Sequence, residues 1–237
     1  MEWYPQGTQE LNNILEKFLS HEPFNKEIHG IIVPHAGYFY SGKIAGKAYS
    51  YLKNSNSKKA IIFAPSHHIE LRGLAKHKEK YWETPLGKIN ISESNIRAEE
   101  IDLKEEHGIG NQIPFLQKIG FKEIFPIIVG SITMQESKKI AEIFSKEENT
   151  IFIISADLSH FLTYEKAVEK DEKTIETIQN LDFERIGQIN SCGLFPILVL
   201  MNLCNAKSWK PKLIEYKNSG DIGEDKESVV GYSSFWF

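Results

Sequence analysis

Histidines and acidic residues follow apolar runs at three places in this sequence, and their spacing suggests a shared site. Each of three runs ends in such residues: 28–33 before His35, 60–64 before His67 and His68, and 150–154 before Asp157 and His160. Imidazole nitrogens bind iron, copper, zinc or nickel, and two histidines with one anionic ligand leave metal positions open for substrate. One histidine after a strand is usually structural, but three such ends together favour a polar site.

Two residues are candidates for the anionic ligand, Asp157 and Cys192. Cys192 precedes a helix expected from Pro196, and a helix N-terminus lowers a thiol pKa and so favours the thiolate, which binds metal or attacks an electrophile. A small buried apolar residue is the alternative role for Cys192, and we expect that role for Cys204, which lies in an apolar segment. No pair has the diagnostic spacing of CxxC or HExxH, so the metal prediction depends on the strand ends.

Apolar runs alternate with segments of helical period, which predicts an α/β sandwich with a central, mostly parallel sheet flanked by helices. Strands are predicted at 28–33, 60–64, 123–129, 150–154, 213–216 and 228–236. Helices are predicted at 11–19 with Thr8 as N-cap, at 44–52 after Ser41, after the capping box Thr133–Glu136, at 165–180, and after Pro196. Because parallel strands bring their carboxyl ends to one edge, the histidine-bearing turns should meet there. Pro126 either weakens the strand at 123–129 or places it near an edge of the sheet.

Composition narrows the class of protein. The 237 residues carry 28 Lys+Arg and 32 Asp+Glu, a net charge of −4, which excludes nucleic-acid binding through bulk positive charge. Two cysteines exclude a disulfide framework and favour a reducing compartment. No apolar segment is long enough to span a membrane, and the N-terminus lacks a signal-peptide core. We therefore expect a cytoplasmic protein of one domain, residues 1–237, that binds neither nucleic acid nor membrane.

Several short segments resemble motifs of the Memo family, in the same order along the chain. PHAGYFYSG begins at Pro34 and PSHH at Pro65; SADLSH begins at Ser155 and resembles the family's SSDxxH; CG at Cys192 with Pro196 resembles CGxxPI. Three further segments also fit: WYP from Trp3, TPLG from Thr84 and PFLQ from Pro114. Each motif is modest alone, but together they span almost the whole chain.

The resemblance implies a fold similar to that of the class III non-haem iron (extradiol) dioxygenases, with cysteine at the carboxylate position of their iron site. The metal ligands it implies are His35, His68 and Cys192, with His68 preferred to His67. Iron(II) or copper is the implied cofactor, and zinc is an alternative. Asp157 and His160 would be the catalytic acid–base groups, and the other pocket-lining residues would be His67, Tyr40, Trp3 and His107.

One loop departs from the family pattern. The family usually has EHSxE where this chain has Glu106-His107, with Gly108 and Gly110 in place of serine and glutamate. The missing carboxylate argues against a catalytic role for this loop, and a surface position is the alternative for His107.

Three functions follow as hypotheses. The first is a metal-binding, Memo-like protein with a dioxygenase-related pocket that acts as an iron- or copper-dependent redox enzyme on an unknown substrate. The second is a non-catalytic binding or adaptor protein that keeps the pocket for a small molecule or peptide. The third, ranked last, is a metal-free cysteine hydrolase. The family resemblance also implies a pathway link to a radical-SAM-type protein.

Overall fold

A computed structural model describes residues 3–24, 26–94, 96–223 and 225–237. The strands in this part of the chain are β1 (Gly30–Val33), β2 (Lys59–Ala64), β3 (Leu74–His77), β4 (Tyr81–Thr84), β5 (Gly87–Ile91), β6 (Glu99–Ile101), β7 (Glu123–Val129), β8 (Thr150–Ser155), β9 (His160–Leu162), β10 (Lys212–Asn218) and β11 (Val229–Trp236). The α-helices are α1 (Thr8–Phe18), α2 (Tyr38–Tyr51), α3 (His107–Gly110), α4 (Ile113–Lys118), α5 (Met134–Phe144), α6 (Tyr164–Asn180) and α7 (Leu194–Lys207), and short 3₁₀ helices cover Phe183–Gln188 and Ser219–Asp221.

The strands join in one mixed sheet, whose main path runs β10-β11-β1-β8-β2-β7-β3-β6. Its centre, β1-β8-β2-β7, is parallel throughout. Antiparallel pairs flank this centre, with β11 beside β1 and β3 beside β7. The predicted α/β sandwich with a parallel centre is therefore confirmed. The strands that precede His35, Asp157 and His67 are neighbours in the sheet, so their carboxyl ends meet at one edge.

Successive residues of the central strands enter two separate apolar cores. Ile31 and Val33 pack on the face covered by α1, α2 and α4, whereas Ile32 packs on the face covered by α5 and α7. The same alternation separates Ile153 from Ile154 in β8. Because both faces are covered, these strands appear in the sequence as continuous apolar runs, a pattern typical of buried parallel strands.

The edge position predicted for the strand of Pro126 is wrong. β7 lies inside the sheet, with β2 on one side and with β5 and β3 on the other. The pairing with β5 ends at Ile124 and the pairing with β3 begins at Ile127, so Pro126 lies between the two partners. A residue at this gap needs no backbone N–H for a ladder, which is the physical reason why proline is tolerated there.

The helix starts agree in part with the predictions. The capping box is confirmed, since the Thr133 hydroxyl accepts from the backbone N–H of Glu136 while the Glu136 carboxylate accepts from that of Thr133. Ser41 is not the N-cap of α2, which begins at Tyr38; its hydroxyl instead donates to the Ala36 carbonyl. Thr8 is likewise the first residue of α1 rather than its cap. Within the described residues, no helix is both long and apolar enough to cross a membrane.

Two glycines allow α1 to approach α2 closely. A Cβ on Gly46 would lie 2.6 Å from both the Cβ and the carbonyl oxygen of Phe18, and a Cβ on Gly42 would overlap the Phe18 ring. The packing of α1 on α2 therefore requires glycine at these two positions.

We predict that Gly46→Ala lowers the free energy of unfolding by about 1–3 kcal/mol, because the backbone of Phe18 must move to accept the methyl group. Gly187→Ala is the matched control, since nothing lies within 4 Å of a Cβ built there, and it should change stability by less than about 0.5 kcal/mol. Urea denaturation measures both. Equal midpoints for the two variants would contradict the prediction.

Candidate metal centre

A cavity of about 830 Å³ opens at the carboxyl ends of β1, β8 and β2. Its residues at and near these ends are His35, His67, His107, Asp157 and His160, and its walls include Trp3 and Tyr40. Of the residues predicted from the strand ends, His35, His67, Asp157 and His160 line this one cavity, whereas His68 does not. The volume is in the range of small-molecule sites.

His35 lies at the buried end of the cavity, and the Ser155 hydroxyl orients its ring. Ser155 Oγ donates to the Gly108 carbonyl at 2.5 Å and accepts from Gln112 Nε2 at 2.9 Å. Since its only proton goes to Gly108, Ser155 Oγ accepts from His35 Nδ1, at 2.8 Å. This assignment leaves His35 Nε2 with a lone pair, the form that binds metals. Burial, and then the charge of the nearby His67, lower the pKa of His35 to about 3.

A carboxylate orients His67 in the same way. Glu106 is 3% exposed, and its Oε1 lies 2.6 Å from His67 Nδ1 while its Oε2 accepts from the His67 backbone N–H at 2.9 Å. Burial acts to raise the pKa of Glu106, but the hydrogen bonds from His67 and the Gly108 N–H hold it at about 2. An ionised acceptor on Nδ1 leaves Nε2 of His67 as the free nitrogen. This is the carboxylate–histidine arrangement that orients metal ligands.

His107 lies between these two histidines, against the side chain of Trp3. The Trp3 and His107 rings stack with centroids 4.1 Å apart and planes 5° apart. Burial lowers the pKa of His107 to about 3, with further contributions from His35 and His67. Its Nδ1 is buried and has no hydrogen-bond partner among the described residues. His107 is thus a neutral imidazole of the pocket rather than a surface residue.

Cys192 reaches the site because its loop packs directly on the turn after β8. A Cβ on Gly193 would lie 3.0 Å from Cα of Ala156, so only glycine permits this approach. Cys192 Sγ lies 3.3 Å from His35 Nε2 and accepts from the Asp157 backbone N–H at 3.3 Å. The expected lowering of its thiol pKa is wrong for the protein without metal: burial, and then the charge of Asp157, raise it strongly. The dipole of α7 does not compensate for this desolvation.

Asp157 and His160 complete the polar surface of the cavity. Asp157 Oδ1 accepts from the His35 backbone N–H at 2.7 Å, and its Oδ2 lies 3.9 Å from His35 Nε2. Burial raises the pKa of Asp157 to about 6, although the bond from His35 opposes this shift. His160 Nδ1 donates to the Leu158 carbonyl at 2.9 Å, so its Nε2 is the free nitrogen.

The nitrogens of His35, His67 and His107 lie within 4.8 Å of one another, close enough to hold one ion. His68 belongs instead to a second group, with Glu106 and His107, at the exposed side of the turn. The preference for His68 over His67 is therefore not favoured by the geometry, because His67 is the histidine beside His35, with ring centroids 5.0 Å apart. Cys192 belongs to neither group, although its Sγ lies 3.3 Å from His35 Nε2.

The sequence pattern predicts no role for Glu106 or Ser155, which bond directly to His67 and His35, or for Gln112, which donates to Ser155. The signal for Glu106 is its place directly before His107, whereas the family pattern draws the carboxylate from the position that Gly110 occupies here. The loop nevertheless has a carboxylate, since Glu106 itself points to His67. Gly108 lies in a tightly packed position beside these residues, where a Cβ would lie 3.1 Å from Glu106 Oε1 and 3.3 Å from Ala64 Cβ.

Comparison with known proteins identifies similarity over nearly the whole chain. A family model described as "Memo-like protein" matches residues 2–236. Relatives named "MEMO1 family protein" occur in Sulfurisphaera tokodaii, Methanosarcina mazei and Aquifex aeolicus, and they are 35%, 32% and 31% identical to this chain. The alignments cover 87%, 98% and 99% of this chain and 81%, 95% and 96% of the relatives.

We predict that Ser155→Ala lowers the free energy of unfolding by about 1–3 kcal/mol, because three buried polar groups lose their common partner. Ser145→Ala is the control, since its hydroxyl donates to the Glu142 carbonyl near the surface, and it should cost less than about 0.5 kcal/mol. Chemical denaturation of the metal-free protein measures both. Equal stability of the two variants would mean that Ser155 does not carry the network.

Proposed function

Because the chain belongs to the family of Memo-like proteins, we propose that it is a metal-dependent redox enzyme whose iron(II) or copper ion binds in the cavity described above. The observation that carries this proposal is the matched orientation of His35 and His67. Each has Nδ1 engaged by a buried partner, which leaves Nε2 as the nitrogen available to a metal, and the ring centroids lie 5.0 Å apart. Two histidines oriented in this way offer two nitrogen donors to one cavity, which is the arrangement of a metal site.

The donor set fits a transition metal. Neutral imidazoles and a thiol are ligands for iron, copper and zinc. Nδ1 of His107 is buried and has no hydrogen-bond partner among the described residues, which costs folding free energy. A bound cation, or a ligand of that cation, would offset this cost. The cavity in front of the histidines leaves room for a substrate.

We assign His35 and His67 as two ligands and Cys192 as the third, with His107 as the alternative third ligand. Cys192 is favoured because its Sγ lies 3.3 Å from His35 Nε2, a separation that one metal ion can bridge. The Asp157 backbone N–H, which donates to Sγ, stabilises an anionic sulfur. Glu106 then serves as the outer carboxylate that orients His67.

The metal would supply a coordination position for the substrate and a one-electron couple. A soft thiolate ligand favours Cu(I) or Zn and shifts an iron potential, so ring cleavage does not follow from the related fold. Asp157, with a pKa raised to about 6 by burial, exchanges a proton readily near neutral pH. His160 can accept a proton at Nε2 because the Leu158 carbonyl holds the proton on Nδ1.

Two alternatives remain distinct from this proposal. A binding or adaptor protein would use the same ligands without turnover. A metal-free cysteine hydrolase would require an ionised thiol, and burial of Cys192 opposes ionisation by raising its pKa. This opposes the hydrolase, which needs the thiolate without a metal to stabilise it.

We predict that His67→Ala lowers metal affinity at least about 10-fold, whereas His68→Ala, its neighbour in sequence, retains metal. Cys192→Ser should also lose affinity and should shift selectivity away from copper, because a hard oxygen replaces sulfur. Elemental analysis after anaerobic purification and reconstitution measures metal content. Loss of metal in His68→Ala with retention in His67→Ala would overturn the ligand assignment, and a wild-type chain without metal would overturn the function.

We further predict oxygen consumption by the iron- or copper-loaded protein with catechols, measured with an oxygen electrode. Asp157→Asn keeps the side-chain shape but replaces a carboxyl that can exchange a proton with an amide that cannot. It should therefore lower the rate of oxygen consumption about 100-fold or more while metal content is unchanged. A metal-loaded protein that consumes no oxygen across a catechol panel would favour the binding protein instead. Labelling of Cys192 by an electrophilic ester analogue without metal would favour the hydrolase.

A further inference from the structure

Aromatic side chains form the walls of the cavity beyond the histidines. The aromatic wall residues are Trp3, Tyr4, Phe39, Tyr40, Phe161 and Tyr232. Phe39 is 74% exposed and Phe161 is 76% exposed, whereas Tyr232 is almost fully buried. Large apolar rings left in water around an opening are typical of a binding surface. The walls therefore suit a ligand with an aromatic or apolar body.

The charged groups of the cavity are of one sign. Asp157 lies at the buried end and Glu10, in the first turn of α1, lies at the exposed side. No lysine or arginine lines the cavity in the part of the chain that the structure describes. The ligand thus meets carboxylates and ring faces, but no permanent cation of the protein.

From these two observations we propose that the cavity binds aromatic compounds that carry a protonated amine, with Glu10 as the counter-ion of the amine. The inference rests on the proposed function, because it names the ligand class of the same cavity. Ring faces attract a cation through their quadrupoles, and Glu10 adds a formal negative charge to the lining of the same cavity.

Carboxylate-bearing compounds are disfavoured by the same features. An anion that enters the wider part of the cavity loses water without gaining a lysine or arginine, and Glu10 repels it. A metal held by His35 and His67 lies at the buried end, whereas Glu10 is exposed. The preference for an amine should therefore be present both with and without metal.

Three probes that differ only in their side-chain terminus test the proposal: tyramine, its neutral alcohol analogue tyrosol, and 4-hydroxyphenylacetate. Isothermal titration calorimetry of the full chain, metal-depleted and zinc-reconstituted, measures the dissociation constants. We expect tyramine to bind at least about 3-fold more tightly than tyrosol, and 4-hydroxyphenylacetate to bind most weakly to the metal-depleted chain. Glu10→Gln should remove most of the tyramine preference while tyrosol affinity is unchanged.

Glu16→Gln is the matched control, because Glu16 lies on the same helix but pairs with Lys118 at 2.8 Å, outside this cavity. It should leave all three affinities unchanged. The proposal is overturned if no probe binds, if tyrosol or the acid binds as tightly as tyramine to the metal-depleted chain, or if Glu10→Gln leaves the preference intact. Metal content is measured on the same samples: a chain that takes up no metal on reconstitution but still prefers tyramine contradicts only the proposed function, and a metal-loaded chain without the preference contradicts only this inference.

Discussion

The hydroxyl of Ser155 is the contact on which the candidate site depends. Ser155 is the last residue of β8, at the centre of the sheet. Its Oγ accepts hydrogen bonds from His35 Nδ1 and from the Gln112 amide, and its hydroxyl proton is donated to the Gly108 carbonyl. One buried atom thereby links the strand, the turn after β1 and the helices α3 and α4. Because this hydroxyl donates its only proton to the Gly108 carbonyl, it also determines which nitrogen of His35 carries the ring proton.

Two buried carboxylates near this network differ in charge, for reasons that can be read from their partners. Glu106 accepts several hydrogen bonds and remains ionised, with a pKa of about 2, so it orients His67 as a permanent acceptor. Asp157 is also buried, but its hydrogen bonds do not overcome desolvation, and its pKa is about 6. The same side-chain chemistry therefore provides one fixed charge and one exchangeable proton.

Much of the fold could be predicted from apolar pattern, because β1, β2, β7 and β8 are buried on both faces and form continuous apolar runs. The strands β4 and β5 were not predicted, since they are short and largely exposed and have a weak pattern. Proline has no backbone N–H to donate to a neighbouring strand, so residue type alone favours an edge position for Pro126. Its interior position depends on where two other strands stop and start, which no local pattern contains.

The sequence by itself determined the α/β class, the family resemblance and the set of strand-end histidines, because these depend on residue type and spacing. Tertiary structure decided which nitrogens are free, how Cys192 ionises and which of two adjacent histidines lies beside His35. His67 and His68 are identical in type and differ by one position, so the distinction cannot be local. Glu106, 39 residues away, distinguishes the two histidines because it bonds to Nδ1 of His67. A side chain at the end of a strand takes its direction from the partner that the fold brings to it.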